Sequence, residues 1–172
     1  MTKKIEKNAP DYQNLCEVEK IRKKLNTNGH AYEKFISVQS GTIYATNGFY
    51  MIAVKAEEIE DGVYQVVKNK NEVILIPDSD GTRFPVCTEI EQLCSEYSEY
   101  SQFEMEWCSS RYCQIIRAFS EDIIDFDIFK PLHETGFFHC FRICTAEHKP
   151  IVLFDSETES TKRAYIMPMI AH

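Results

Sequence analysis

Cysteine and histidine, the side chains that most often hold structural zinc, cluster between residues 133 and 148. Structural zinc sites typically use closely spaced pairs such as C-x-x-C, and no such pair occurs among the seven cysteines. On a strand, His139 and Cys140 point to opposite faces, while Cys140 and Cys144 lie too far apart to chelate an ion unaided. We therefore expect no metal site and interpret the cysteines as small buried apolar side chains. The cluster comprises His133, His139, Cys140, Cys144 and His148.

Three aspartates, Asp122, Asp125 and Asp127, raise the alternative of a metal-dependent hydrolase. On a helix, Asp122 and Asp125 share a face and Asp127 diverges from it. Acids that follow Ser120 are explained more simply as first-turn residues that complement a helix dipole. No catalytic signature surrounds any cysteine, and the six glycines form no phosphate-binding loop. The sequence therefore predicts no catalytic residue, no cofactor and no enzyme.

The formal charge of the 172 residues is −8, which argues against a surface that binds nucleic acid everywhere but permits a local basic stripe. Cations gather near the end of the first predicted helix, where they could contact DNA phosphates without reading bases. The alternative is that they only complement the helix dipole. Aromatic residues between Tyr97 and Tyr112 are typical of half-buried strands, and a stacking platform for single strands is the alternative. The candidate DNA-facing residues are Lys20, Arg22, Lys23 and Lys24.

An odd number of cysteines and a polar, basic amino terminus predict free thiols in a cytoplasmic protein. No apolar run reaches the length of a membrane span, so we expect no membrane partner.

The first half of the chain predicts a helix followed by a β meander. Residues 1–12 are expected to be a flexible basic terminus, and Asn14 to cap a helix that ends near Gly29. Strands are expected at 35–38, 42–46 and 49–54, joined by the turn dipeptides Ser40-Gly41 and Asn47-Gly48. A second strand pair is expected at 63–67 and 73–76.

The second half of the chain repeats this rhythm. After a loop and a short helix at 88–97, strands are expected at 103–108 and 112–119. A second long helix is expected from Ser120 to Gly136, because Ile124, Ile128 and Leu132 recur at helical spacing. Strands at 137–144, 150–154 and 163–167 complete the chain.

These elements predict an α+β fold: an antiparallel sheet with two helices on one side, built from a helix plus three strands, repeated. One domain is expected over 13–172. Its first helix and meander cover 13–77, an irregular linker covers 78–102, and the second hairpin, helix and meander cover 103–170.

Three short segments resemble the bacterial DNA polymerase beta sliding clamp family. Residues 45–51, from Ala45 through Asn47-Gly48 to Met51, resemble the family's Ala-Thr-Asp-Gly-His-Arg-Leu signature. Residues 81–85 resemble its Gly-Arg-Phe-Pro-Asp segment, and residues 164–170 resemble its closing strand, which ends in Val-Met-Pro-Met-Arg-Leu. Residues 149–152 also resemble a Lys-Pro-Val-Val strand entry, and all these segments occur in the family order.

In the clamp family these segments line a hydrophobic groove that receives short linear peptides from polymerases, loaders and repair proteins. The resemblance therefore implies a peptide-binding groove here. Methionine adapts to varied peptide side chains and proline gives a rigid wall without donating a hydrogen bond. The implied groove residues are Gly48, Phe49, Met51, Pro85, Met167, Pro168 and Met169.

The resemblance implies a replication, processivity or docking factor with DNA polymerase and other proteins that carry clamp-binding peptides as partners. It also implies duplex DNA bound without sequence specificity, and a homo-oligomer. Phe49 and Tyr50 stand where clamps usually have His and Arg, and the second predicted helix is acidic. The net charge of −8 and the acidic second helix favour the alternative of an accessory or inhibitor module that binds proteins and has no DNA role.

Overall fold

The computed structural model describes residues 2–24, 29–94, 98–100, 104–107, 112–116, 121–125, 142–145, 150–154 and 162–166. The first half contains β1 (Lys3–Glu6), α1 (Pro10–Lys24), a 3-10 turn (Ala31–Lys34), β2 (Ile36–Gln39), β3 (Thr42–Thr46), β4 (Tyr50–Lys55), β5 (Gly62–Lys68), β6 (Glu72–Pro77) and α2 (Cys87–Leu93). The strands that follow are β7 (Ser98–Tyr100), β8 (Glu104–Trp107), β9 (Tyr112–Ile116), β10 (Glu121–Asp125), β11 (Arg142–Thr145), β12 (Ile151–Phe154) and β13 (Lys162–Ile166).

The described strands form a ten-stranded sheet in the order β1-β6-β5-β2-β3-β4-β13-β12-β11-β7 and a three-stranded sheet in the order β10-β9-β8. Every pairing in them is antiparallel, which confirms the α+β class with an antiparallel sheet. The two halves of the chain meet in the middle of the larger sheet, where Tyr50 of β4 pairs with Ile166 of β13.

The predicted meander of the first half is confirmed, with strand ends that differ by at most one residue. Ser40 and Gly41 both adopt positive φ, as the tight turn between β2 and β3 requires. The Asp61 carboxylate accepts the Ser40 amide at 2.9 Å and so holds this turn against the start of β5.

The amino-terminal part differs from the prediction. Residues 3–6, expected to be flexible, form β1, because pairing with β6 buries Ile5. Helix α1 begins at Pro10, whose missing amide proton suits a first helical position. Asn14 therefore lies inside the helix and is not its cap. The buried Asp11 carboxylate accepts the amides of Glu57 and Glu58 at 2.8 and 2.9 Å, tying the helix start to the loop after β4.

The two described helices, α1 and the short α2, pack on opposite faces of the large sheet. The two helices predicted on one side were the first helix and the long helix after Ser120, so α2 does not test that expectation. Alternation along β3 explains this arrangement, since neighbouring residues of a strand face opposite ways. Ile43 and Ala45 join the core cluster that contains Leu15 and Val18 of α1. Tyr44 joins a second cluster that contains Cys87 and, at its edge, Ile90 of α2.

The long second helix predicted from Ser120 is wrong over residues 121–125, which form β10 and pair with β9. The adjacent β-branched residues Ile123 and Ile124 favour a strand, and this preference outweighs the acidic first-turn signal. The rest of that predicted helix lies outside the described residues.

The short helix predicted at 88–97 is present as α2, which begins one residue earlier and ends earlier, at Leu93. The predicted strands of the second half are confirmed where they are described. No helix within the described ranges is long and apolar enough to cross a membrane.

Candidate functional site

The turn between β3 and β4 is fixed by side chains that bond to its own backbone. The Asn47 side-chain oxygen accepts the amides of Phe49 and Tyr50 at 3.0 and 3.2 Å. The Thr46 hydroxyl accepts the Gly48 amide at 3.1 Å and donates to the Tyr50 carbonyl at 2.6 Å. Gly48 adopts φ +91°, and the turn leaves the Phe49 side chain 53% exposed. The turn therefore presents an aromatic ring from a preorganised backbone.

Tyr32, on the 3-10 turn, joins this turn to the loop before α2. A β-carbon at Gly48 would lie 3.2 Å from the Tyr32 hydroxyl oxygen, so the side chain approaches the turn closely. One side of the Tyr32 ring stacks on His30, with ring centroids 5.0 Å apart. The Phe84 ring meets it edge to face at 5.9 Å. Sequence reasoning missed Tyr32 and His30, since no local pattern marks two aromatic residues that act only through distant neighbours.

The loop that carries Phe84 and Pro85 is anchored by Gln39 at the end of β2. The Gln39 amide group donates to the Pro85 carbonyl at 2.9 Å, and its oxygen accepts the Cys87 amide at 3.0 Å. Where the loop begins, the Asp78 carboxylate accepts the Thr82 amide at 2.6 Å, and this bond lowers the pKa of Asp78. Phe84 and Pro85 are half-buried, while Val86 is 54% exposed.

The third predicted segment approaches the same place through strand pairing. Ile166, the last described residue of β13, pairs with Tyr50, which directly follows Phe49. Four of the predicted groove residues lie within the described segments: Gly48, Phe49, Met51 and Pro85. The remaining predicted residues, Met167, Pro168 and Met169, lie outside the described residues.

Met51 belongs to the core and does not line the surface. Its side chain is 2% exposed and lies in the cluster beneath α2 with Tyr44 and Tyr165. Its cross-strand partners, Thr46 on β3 and Tyr165 on β13, lie beside it on the same face of the sheet. The predicted groove residue Met51 therefore supports this region from below.

Glu91 of α2 ties that helix to the sheet. Its carboxylate accepts the hydroxyls of Tyr44 and Tyr165 at 2.9 and 3.0 Å and forms an ion pair with Arg163 at 3.1 Å. Burial, and next to it the Glu91 charge, raises the pKa of Tyr44. Burial is also the main cause of the raised pKa of Tyr165. Both phenols therefore remain hydrogen-bond donors at neutral pH, which suits a structural role.

The cysteines of this region are not placed for nucleophilic chemistry. Burial, followed by the charge of Glu91, raises the pKa of Cys87 to about 12, so the thiol stays protonated. Cys87 and Cys94 are buried, as predicted, and Cys16 is half-buried. No group of three potential metal ligands occurs in the described segments, and the side chains of the predicted histidine and cysteine cluster are not among those described.

The predicted DNA-facing residues divide into two kinds. Arg22 is used within the fold, because it donates to the buried Glu19 carboxylate at 2.7 and 2.8 Å and to the Glu33 carbonyl at 2.8 Å. Lys23 is exposed, but its ammonium lies 3.0 Å from Glu19. Lys20 and Lys24 are exposed. The placement of Arg22 therefore does not suit contact with phosphates.

Solved structures of several bacterial sliding clamps share this fold over nearly the whole chain. The beta clamp of Helicobacter pylori, bound to a DNA ligase peptide, matches with a TM-score of 0.58 and 14% identity over 98% of this chain and 66% of the clamp chain. The DnaN clamp of Pseudomonas aeruginosa bound to griselimycin matches with a TM-score of 0.52 and 12% identity over 99% of this chain and 66% of the clamp. The beta subunit of Thermotoga maritima matches with a TM-score of 0.53 and 10% identity over 100% of this chain and 66% of that subunit. This chain has the sliding-clamp fold.

The likeness to sliding clamps is one of structure. No protein-family model and no curated protein matches the sequence. The chain spans 66% of the length of each of these three clamp chains. The match nonetheless extends far beyond the short segments that resemble the family, and those segments carry the contacts described above.

We use the name docking surface for the group formed by Tyr32, Gly48, Phe49, Phe84 and Pro85.

Proposed function

We propose that this protein is a sliding-clamp-like docking factor that binds short linear peptides of DNA polymerase or other replication proteins at the docking surface. The observation that carries the proposal is the position of Tyr32, whose hydroxyl approaches Gly48 and whose ring contacts Phe84. The clamp of H. pylori, which shares the fold, is bound to a DNA ligase peptide. The resemblance assigns Met167, Pro168 and Met169, which follow β13 in the sequence, to the same groove.

The chemistry of the docking surface suits an apolar peptide anchor. Phe49 offers an exposed ring, and the half-buried rings of Tyr32 and Phe84 offer edges against which aromatic or aliphatic side chains pack favourably. The side-chain bonds of Asn47 hold the turn before a ligand arrives, which reduces the ordering cost of binding. A few buried anchors then carry most of the binding free energy.

The same proposal includes the binding of duplex DNA and the formation of a homo-oligomer. The residues proposed to contact DNA phosphates are Lys20, Lys23 and Lys24. The internal bonds of Arg22 and the net charge of −8 favour the second candidate, a cytoplasmic protein-interaction module with the clamp fold and no duplex DNA role. Duplex affinity that falls steeply as salt increases supports the DNA-binding form, and no measurable duplex affinity supports the module.

Peptide binding is tested with the DNA ligase peptide that the H. pylori clamp binds, labelled and titrated with the full chain. We expect saturable binding that is weakened about tenfold in Phe49→Ala, equivalent to about 1.4 kcal/mol. Val67→Ala, which truncates another exposed apolar side chain, is the matched control and leaves the affinity unchanged. No saturable binding, or an equal loss in both variants, contradicts the proposal.

A further inference from the structure

A second surface, which shares no residue with the docking surface, lies along α1. It is a groove of about 340 Å³ whose lining includes Lys7, Tyr12, Gln13, Cys16, Lys20 and Lys68. We call it the lysine groove. Tyr12, Cys16 and Lys20 follow one another at intervals of four residues, so they form one stripe on the helix.

The fold holds the far wall of the lysine groove in place. The Lys7 amide donates to the Asn71 carbonyl at 3.1 Å, which fixes the turn after β1 against the β5–β6 hairpin. Lys68, the last residue of β5, pairs with Val73 of β6 next to the turn of that hairpin. The backbones of Lys7 and Lys68 are therefore held by hydrogen-bonded pairing, and both side chains line the groove together with the helix stripe.

The lysine groove is positively charged within an acidic protein. In the part of the chain that the structure describes, Lys7, Lys20 and Lys68 form no ion pair. Glu17 also lines the groove, but its carboxylate binds the Lys162 ammonium and accepts the Gln13 amide at 3.1 Å. Three unopposed cations in a concave site favour an anionic ligand.

Tyr12 indicates which kind of anion fits. Its ring packs against the core beneath α1, so it is held in place while it lines the groove. A fixed aromatic ring beside lysines is the combination that binds single strands, with the base on the ring and phosphates on the cations. The groove volume is at the small end of ligand pockets, which run from about 300 to 1,000 Å³, and suits a nucleotide unit better than a duplex.

We propose that the lysine groove binds single-stranded nucleic acid, with a base stacked on Tyr12 and the flanking phosphates contacted by Lys7, Lys20 and Lys68. This activity goes beyond peptide docking and needs no residue of the docking surface. It shares only Lys20 with the residues proposed to contact duplex DNA.

The test is fluorescence anisotropy of the full chain with a labelled oligothymidylate of about 12 nucleotides and with a duplex of equal length. We expect the single strand to bind more tightly. Tyr12→Leu should weaken binding about tenfold, while Tyr12→Phe, which keeps the ring, should bind like the wild type. Lys68→Gln should weaken binding and reduce the slope of log affinity against log salt by about 0.7. Lys55→Gln, at an exposed lysine outside the groove, is the matched control.

Tighter binding of the duplex, or equal losses in Lys68→Gln and Lys55→Gln, overturns the proposal. A loss in Tyr12→Phe as large as in Tyr12→Leu overturns base stacking. If Tyr12→Leu fails to fold, the lysine variants still decide the result, because their side chains are exposed. Phe49→Ala should leave oligonucleotide affinity unchanged and Lys68→Gln should leave peptide affinity unchanged, so the two functions fail separately.

Discussion

The rings of Tyr32 and Phe84 meet edge to face with their centroids 5.9 Å apart. This contact joins the 3-10 turn to the loop before α2, and the Tyr32 hydroxyl extends the connection to Gly48. Since β13 ends beside Tyr50, the described parts of the segments that resemble sliding clamps converge on one region of the fold. Substitutions that disturb the contact between Tyr32 and Phe84 should therefore change both the stability of the fold and its affinity for peptide.

Replacement of Gly48 by alanine should destabilise the protein in two ways. A left-handed conformation costs alanine about 1–2 kcal/mol, and the added β-carbon would crowd the Tyr32 hydroxyl at 3.2 Å. Gly29→Ala is the matched control, because Gly29 has φ +86° and nothing within 4 Å of the added carbon. Urea unfolding should show the larger loss for Gly48→Ala. Tyr32→Phe should restore part of that loss, and equal losses at the two glycines would contradict the role given to Tyr32.

Asn47→Ala should lower the free energy of unfolding by about 2 kcal/mol, because it removes a buried side-chain acceptor for two backbone amides. Asn69→Ala, at the turn of the β5–β6 hairpin, removes an exposed side-chain bond and should cost much less. Both values can be measured by urea denaturation. A loss for Asn47→Ala no larger than that for Asn69→Ala would show that the turn does not depend on its side chain.

The burial of Tyr44 and Tyr165, next to the Glu91 carboxylate, predicts a dependence of stability on alkaline pH. The folded-state pKa values of Tyr44 and Tyr165 are raised, whereas unfolded tyrosine ionises near pH 10. Their contribution to stability is therefore complete below about pH 10 and is lost as pH rises above it. The double variant Tyr44→Phe/Tyr165→Phe should show a shallower decline in urea midpoint above pH 10. An unchanged decline would exclude these phenols as its cause.

Arg22→Ala should destabilise the fold by about 3 kcal/mol, because it leaves the buried Glu19 carboxylate without its main partner. Lys24→Ala, at an exposed cation two residues later, should change stability by less than about 0.5 kcal/mol. Thermal unfolding distinguishes the two outcomes. A neutral Arg22→Ala variant would return Arg22 to the set of residues free to contact DNA.

Much of the fold follows from local sequence signals. Asn47-Gly48 and Ser40-Gly41 mark tight turns, and the β-branched residues between them fix the meander. Local signals conflict where acids after Ser120 suggest a helix while Ile123 and Ile124 favour a strand, and there the prediction was wrong. The start of α1 was also misplaced, because Pro10 fits a first helical position as well as Asn14 fits a cap.

The candidate site could be predicted only in part. Gly48, Phe49 and Pro85 carry a resemblance that a sequence displays directly. The ring and the hydroxyl of Tyr32 contact residues that are distant in the sequence, and the periodicity of a sequence cannot reveal such contacts. Met51 is buried because α2 covers its face of the sheet. Which face α2 covers is determined by the pairing and packing of segments that are distant in the sequence. The same limitation applies to Arg22, whose partner Glu33 lies beyond the end of α1.

The most direct test of the central claim is hydrogen–deuterium exchange of the full chain with and without the DNA ligase peptide. We predict that the peptide slows exchange in the Thr46–Tyr50 turn and in the loop at residues 82–86 together, while exchange in β5 stays the same. Protection elsewhere, or in only one of these two segments, would contradict a single docking surface assembled around Tyr32.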